Sequence, residues 1–150
     1  MSTIALACDH GGYELMQIVR EYLDKNGYAY KNFGTNSLQS CDYPEMAIPA
    51  AKAIAAGECE KGIFICTTGN GIAMTANKIA GIRAALCTNV LMAEMTRDHN
   101  DANVLALGAI IVDSKLALEI VEKFLTTEFS GAEKHCRRVN RIKSLDREGG

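Results

Sequence analysis

The sequence predicts an α/β domain: a five-stranded parallel sheet covered on both faces by helices. Three observations carry this. Short, continuously apolar runs such as Thr3–Cys8 and residues 62–66 read as strands buried on both faces. Segments with helical apolar spacing alternate with these runs. The connections are short polar or glycine-containing turns, with no repeat, low-complexity tract or interdomain linker.

Thr-Ile-Ala-Leu-Ala-Cys, residues 3–8, is the first strand, and Asp9-His10-Gly11-Gly12 is a polar, flexible turn. Residues 13–26 place Leu15, Ile18, Val19, Tyr22 and Leu23 on one helical face, and Asn26-Gly27 is a helix stop. Residues 28–33 form a second strand rich in aromatics, followed by a loop over 34–40. Asp42-Tyr43-Pro44 opens a second helix, with proline in its first turn, running towards Gly57. Residues 62–66 are the third strand. The helix after it closes at Ala80-Gly81. Residues 82–87 are a fourth strand and 90–98 a helix, followed by a polar cluster over 97–103. Residues 104–107 and 110–112 bracket the fifth strand and its end. Residues 115–126 form an amphipathic helix, and 130–150, basic at first, a last helix.

At 150 residues the chain is one domain with room for a sizeable core. A formal net charge of -2 excludes the broad basic surface that bulk nucleic-acid binding needs. No apolar run reaches membrane-spanning length, and no signal peptide precedes Thr3, so the expected compartment is the cytoplasm. The six cysteines contain no C-x-x-C and read as free thiols, several of them small buried hydrophobes. Cys8-Asp9-His10 lacks a second ligand pair at zinc spacing, so no metal is expected.

Right-handed crossovers bring the C-terminal ends of all parallel strands to one edge, where such folds bind ligands. That rule gathers Asp9, His10, Asp42, Tyr43, Cys66 to Gly71, and Asn89. Cys66-Thr67-Thr68-Gly69-Asn70-Gly71 passes from strand end to helix start, where unpaired amides and partial positive charge favour an anion. A thiol placed there is expected to ionise more readily than usual, beside amides able to hold a developing oxyanion. The same pattern also suits a buried strand-end cysteine next to an ordinary turn. Asp9 is a good helix cap as well as a candidate acid–base group. Tyr43 suits packing on the sheet edge. His99 suits a solvated turn, on the opposite edge or reaching a neighbouring subunit. Lys134, Arg138 and Arg141 share helical spacing that suits a solvated face or a phosphate clamp.

Several motif classes fail. Met74 stands where a dinucleotide fingerprint needs Gly or Ala. No Gly-Lys-Ser/Thr makes a P-loop. Ile72 stands where a cysteine phosphatase needs Arg, and Gly69 where a dithiol motif needs Cys.

Cys8-Asp9-His10-Gly11-Gly12, Asp42-Tyr43-Pro44, Ile65-Cys66-x-Thr68-Gly69-x-Gly71-Ile72, Ala76-Asn77-Lys78, Gly81-Ile82-Arg83-Ala84 and His99-Asn100-Asp101-Ala102-Asn103 together resemble the ribose-5-phosphate isomerase B / galactose-6-phosphate isomerase family. The resemblance runs from about Thr3 to the basic tail. It implies a three-layer α/β/α, Rossmann-like sandwich, needing neither metal nor cofactor. It also implies a homodimer, possibly a tetramer, with shared active sites and a basic helix at about 130–146 reaching the partner. The implied reaction is aldose–ketose interconversion of ribose 5-phosphate and ribulose 5-phosphate through a cis-enediolate. Cys66 matches the proton-shuttling base, and Thr68 with the amides of Thr67, Gly69, Asn70 and Gly71 the oxyanion hole. His99 and Asp9 match the ring-opening pair. His10, Lys134 and Arg138 match the phosphate ligands, with Arg137 the alternative to Arg138. Tyr43 and Asn100 match sugar-hydroxyl contacts.

Two departures bear on substrate. Thr67 stands where the family has glycine, and Ile110 where an arginine is common. They leave allose 6-phosphate, galactose 6-phosphate or a tetrose phosphate as alternative substrates, and a non-catalytic phosphosugar-binding protein as the alternative function.

Overall fold

The computed structural model describes residues 2–148, so Met1, Gly149 and Gly150, the ends of the expected domain and tail helix, lie outside the described residues. The order is β1 (Thr3–Cys8), a 3-10 turn (His10–Gly12), α1 (Tyr13–Lys25), β2 (Ala29–Asn32), α2 (Tyr43–Ala55), β3 (Lys61–Cys66), α3 (Asn70–Ala76), β4 (Ala84–Leu86), α4 (Val90–Asn100), β5 (Val104–Gly108), α5 (Ser114–Thr126) and α6 (Glu133–Glu148).

The strands form one parallel sheet in the order β2-β1-β3-β5-β4. Strand side chains alternate between faces, and the sequence uses the alternation to build two different layers. Leu6, Ile63, Ile65, Leu105 and Leu107 face α1 and α5 and meet Met16, Val19, Leu23, Ile120 and Phe124. Ala5, Ala7, Phe64 and Ala106 face α2 and α3, where Ala47, Ala50, Ala51, Ile72 and Ala76 meet them. Small residues on both sides of the second layer let α2 lie close to the sheet. Each fully buried Leu, Ile or Phe contributes about 1.5–3 kcal/mol, so the first layer dominates stability.

Among the boundaries that differ from those the sequence predicts, four are explained by the contacts made there. The helix expected to run to Ala80 stops at Ala76. The Asn77 side chain pairs like a strand residue with Ala84, donating to its carbonyl at 3.0 Å and accepting from its amide at 2.8 Å, which turns the chain into β4. Ladder pairing in β4 covers only Ala84–Leu86, because Arg83 donates its amide to the Asn103 side chain instead. Residues 110–112 are a turn, with Ile111 and Val112 amides closing onto Gly108. The helix expected to end at Asp98 continues through Asn100. Asp101 terminates it in a left-handed conformation, φ 49°, held by Arg97 at 2.9 Å and Arg83 at 3.5 Å.

Candidate active site

The chain leaves β1 for β2 on one side and leaves β3 for β4, beyond β5, on the other. The C-terminal ends of β1 and β3 therefore flank a crevice, the usual ligand position in an open parallel sheet. A cleft of about 420 Å³ opens there. Asp9, His10, Tyr43, Cys66, Thr67, Thr68 and Gly71 line it, together with Ser40, Cys41 and Asp42. Eight of the residues gathered from sequence thus meet in one cavity.

Cys66 is the last residue of β3 and is buried, 4% exposed. Gly69 caps α3 with φ 83°, a conformation that glycine adopts without the penalty a β-carbon imposes. That conformation turns the Gly69 amide back onto Cys66 Sγ at 3.2 Å. Asn70 donates its amide to Thr68 Oγ1 at 3.3 Å. Two of the amides expected to face an oxyanion are therefore engaged within the loop, and both acceptors are themselves site residues. The Ala109 amide donates to the Cys66 carbonyl at 2.9 Å and the Ile110 amide to the Thr67 carbonyl at 3.1 Å, so the turn after β5 fixes the loop from behind.

Asp9, 5% exposed, accepts the Gly12 amide at 3.1 Å and so caps the 3-10 turn as well as lining the cleft. His10 Nδ1 accepts the Cys41 amide at 3.2 Å, which leaves Nε2 as the protonated nitrogen, free to donate. The Tyr43 ring packs against Gly71, where any β-carbon would overlap its phenol end.

Sequence reasoning overlooked Ser40 and Cys41, and it placed Asp42 at this edge without giving it a role. Their signal was proximity in chain to Tyr43. Asn89 is a helix cap, accepting the Met92 amide at 2.8 Å, and does not line the cleft.

His99, Asn100, Lys134 and Arg138 are not brought to this cleft. The first two end α4, which leads into the N-terminal end of β5, and the other two are on α6. His99 Nε2 is 3.4 Å from Asp98 Oδ2, not paired with Asp9, and its ring stacks on His135 with centroids 4.3 Å apart. Desolvation, and then coulombic repulsion from its neighbours His99 and Lys134, push the His135 pKa down against the pull of Asp98. Arg137 is tied to Glu133 at 3.0 Å. Arg97, 6% exposed, anchors this end of α4. It donates to the Thr127 carbonyl at 3.0 Å, the Ala102 carbonyl at 2.7 Å and Asp101.

Cys8 and Cys87 are buried among apolar groups. Desolvation pushes their thiols up to about 12 and about 11, so both stay protonated and inert. No group of three or more His, Cys, Asp or Glu suited to a metal ion occurs among the described residues. No described helix is long and apolar enough to cross a membrane.

The fold is shared with ribose-5-phosphate isomerases of type B. The structure superposes on Clostridium thermocellum ribose-5-phosphate isomerase B with a TM-score of 0.96 and 47% identity, covering 99% of each chain. It superposes on Mycoplasma genitalium ribose-5-phosphate isomerase B, solved with bound ribulose-5-phosphate, with a TM-score of 0.92 and 34% identity over 97% of each. In sequence it is 41% identical over 146 residues to ribose-5-phosphate isomerase B of Escherichia coli, covering 97% of both. The class is that of an aldose–ketose isomerase. The ribose/galactose isomerase family matches residues 4–142, and the chain belongs to it.

Proposed function

We propose that the protein interconverts ribose 5-phosphate and ribulose 5-phosphate through a cis-enediolate, with Cys66 as the base that carries the proton between C1 and C2. The observation that carries this reading is Cys66 itself: a sulfur in the cleft at the end of β3, receiving the Gly69 amide. A hydrogen-bond donor aimed at sulfur suits a thiolate, and a thiolate is a base able to take a carbon-bound proton beside a carbonyl. Thr68 and the loop amides stabilise the oxygen charge that develops as the proton leaves. Asp9 assists ring opening, and His10 holds the phosphate through Nε2–H.

His99, Asn100, Lys134 and Arg138 complete the site from a second copy of the chain, in a homodimer whose active sites are shared. Their position on α4 and α6, away from the Cys66 cleft of the same chain, supports this arrangement. Residues 1–150 act as one catalytic domain in the cytoplasm, and α6 reaches across to the partner.

Proton exchange at C2 in deuterated buffer, followed by NMR on ribose 5-phosphate, tests the chemistry. Exchange is expected in the wild type and absent in Cys66→Ala, with sugar-phosphate binding retained. No exchange in the wild type with any pentose or hexose phosphate refutes the isomerase reading. Full exchange in Cys66→Ala refutes the assigned base.

A further inference from the structure

Thr67 is the one residue of the Cys66 loop whose side chain leaves the loop and crosses to another wall of the cleft. Its Oγ1 occupies the space that a β-carbon on Gly11 would need, and its own Cβ is 3.4 Å from that position. Its carbonyl is pinned by the Ile110 amide at 3.1 Å, so the backbone cannot carry the side chain away. Thr67 is nonetheless solvent-exposed and lines the cleft together with Cys66 and His10. The side chain therefore stands as a fixed post between the thiol and the 3-10 turn that bears His10. Gly11, with no side chain, is what gives it room.

We propose that Thr67, seated on Gly11, is a specificity-determining residue that limits the length of sugar phosphate the cleft accepts, favouring five-carbon over six-carbon chains. The inference rests on the isomerase reading and names its substrate class. A ligand whose reacting carbons lie at Cys66 and whose phosphate lies at His10 must run along the wall that Thr67 occupies. One additional CHOH unit lengthens that run where the wall cannot yield, because both the backbone of Thr67 and the turn beneath it are fixed. One-carbon discrimination in a rigid pocket is about 10–200-fold.

The test uses unreactive ligands, so that it stands apart from catalysis. Acyclic ribitol 5-phosphate and allitol 6-phosphate cannot isomerise, and calorimetry gives the dissociation constant of each for the full-length protein. The wild type is expected to bind the pentitol phosphate more tightly. Thr67→Gly is expected to narrow that preference at least about tenfold by improving hexitol binding. Thr67→Val, which keeps the shape and loses the hydroxyl, is expected to keep the wild-type ratio. Thr67→Ala carries the same expectation as Thr67→Gly should the glycine variant not fold. A ratio unmoved in Thr67→Gly or Thr67→Ala overturns the assignment, even where wild-type turnover of ribose 5-phosphate upholds the isomerase reading. A ratio that moves while no sugar phosphate exchanges its C2 proton supports the assignment and overturns the isomerase reading alone.

Discussion

Substituting Gly69 by alanine separates what the loop needs from what any left-handed glycine needs. The residue has φ 83°. A β-carbon there would be 2.5 Å from Leu86 Cδ1, 2.9 Å from the Leu107 carbonyl carbon and 3.0 Å from the Gly108 nitrogen. Leu86 can rotate away. The other two atoms are backbone of β5, paired to both β3 and β4, and cannot. Left-handed strain costs about 1–2 kcal/mol, and overpacking against an immobile wall about 1–3 kcal/mol. Gly69→Ala is therefore expected to destabilise by about 2–5 kcal/mol. That corresponds to a drop in Tm of about 4–20 °C in a chain of this size. Gly57 supplies the control: its φ is 82°, and nothing lies within 4 Å of its missing β-carbon. Gly57→Ala therefore reads the strain alone. The backbone shift in Gly69→Ala also moves the amide off Cys66 Sγ. That amide is the donor to the sulfur proposed as the base, and a hydrogen bond to such a group is worth about 1.5–3 kcal/mol, so kcat on ribose 5-phosphate is expected to fall at least about tenfold. Urea unfolding and initial-rate kinetics on the two variants make the comparison. If Gly69→Ala is no less stable than Gly57→Ala and keeps full kcat, neither the packing argument nor the role of the Gly69 amide stands.

Two further outcomes test the surroundings of the site. Arg97→Ala removes a buried guanidinium and leaves the carbonyls of Ala102 and Thr127 without their donor, so urea midpoints are expected to register a loss of about 3–5 kcal/mol. A loss below about 1 kcal/mol would mean that Arg83 alone holds Asp101. Cys8 concerns pH. Its folded pKa is raised from 9.0 to about 12, so the fold holds the proton more tightly than the unfolded chain does. Its contribution to stability is complete below about pH 9 and is lost as pH rises towards 12. Stability measured from pH 8 to 11 should fall more steeply in the wild type than in Cys8→Ala. At pH 8, Ellman's reagent should label Cys41 and Cys136 while Cys8 and Cys87 react only in denaturant.

Much of the molecule is legible in local pattern. All-apolar strands betray a sheet covered on both faces, and amphipathic spacing gives the helices between them. Once the strands are parallel, the crossover rule alone collects Asp9, His10, Tyr43 and the Cys66 loop at one edge. Glycines 69 and 71 are legible as marking a helix start. Features decided by distant partners are not legible in this way. Asn77 ends α3 because Ala84, across a turn, accepts it as a strand neighbour. Asp101 carries α4 past Asp98 because Arg83, from another element, joins Arg97 in holding its left-handed backbone. The contact of Thr67 with Gly11 joins residues 56 positions apart, and periodicity carries no signal of it.

The sequence by itself determined the layers, the edge at which the site forms and the thiol at its centre. These follow from local spacing and from the handedness of the chain. Tertiary structure alone decided the strand order, which puts the crevice between β1 and β3. It also decided the separation of His99 and α6 from the Cys66 cleft, and the wall that Thr67 and Gly11 make together. Each depends on which segments meet in space, and a missing β-carbon in one becomes room for a side chain of the other.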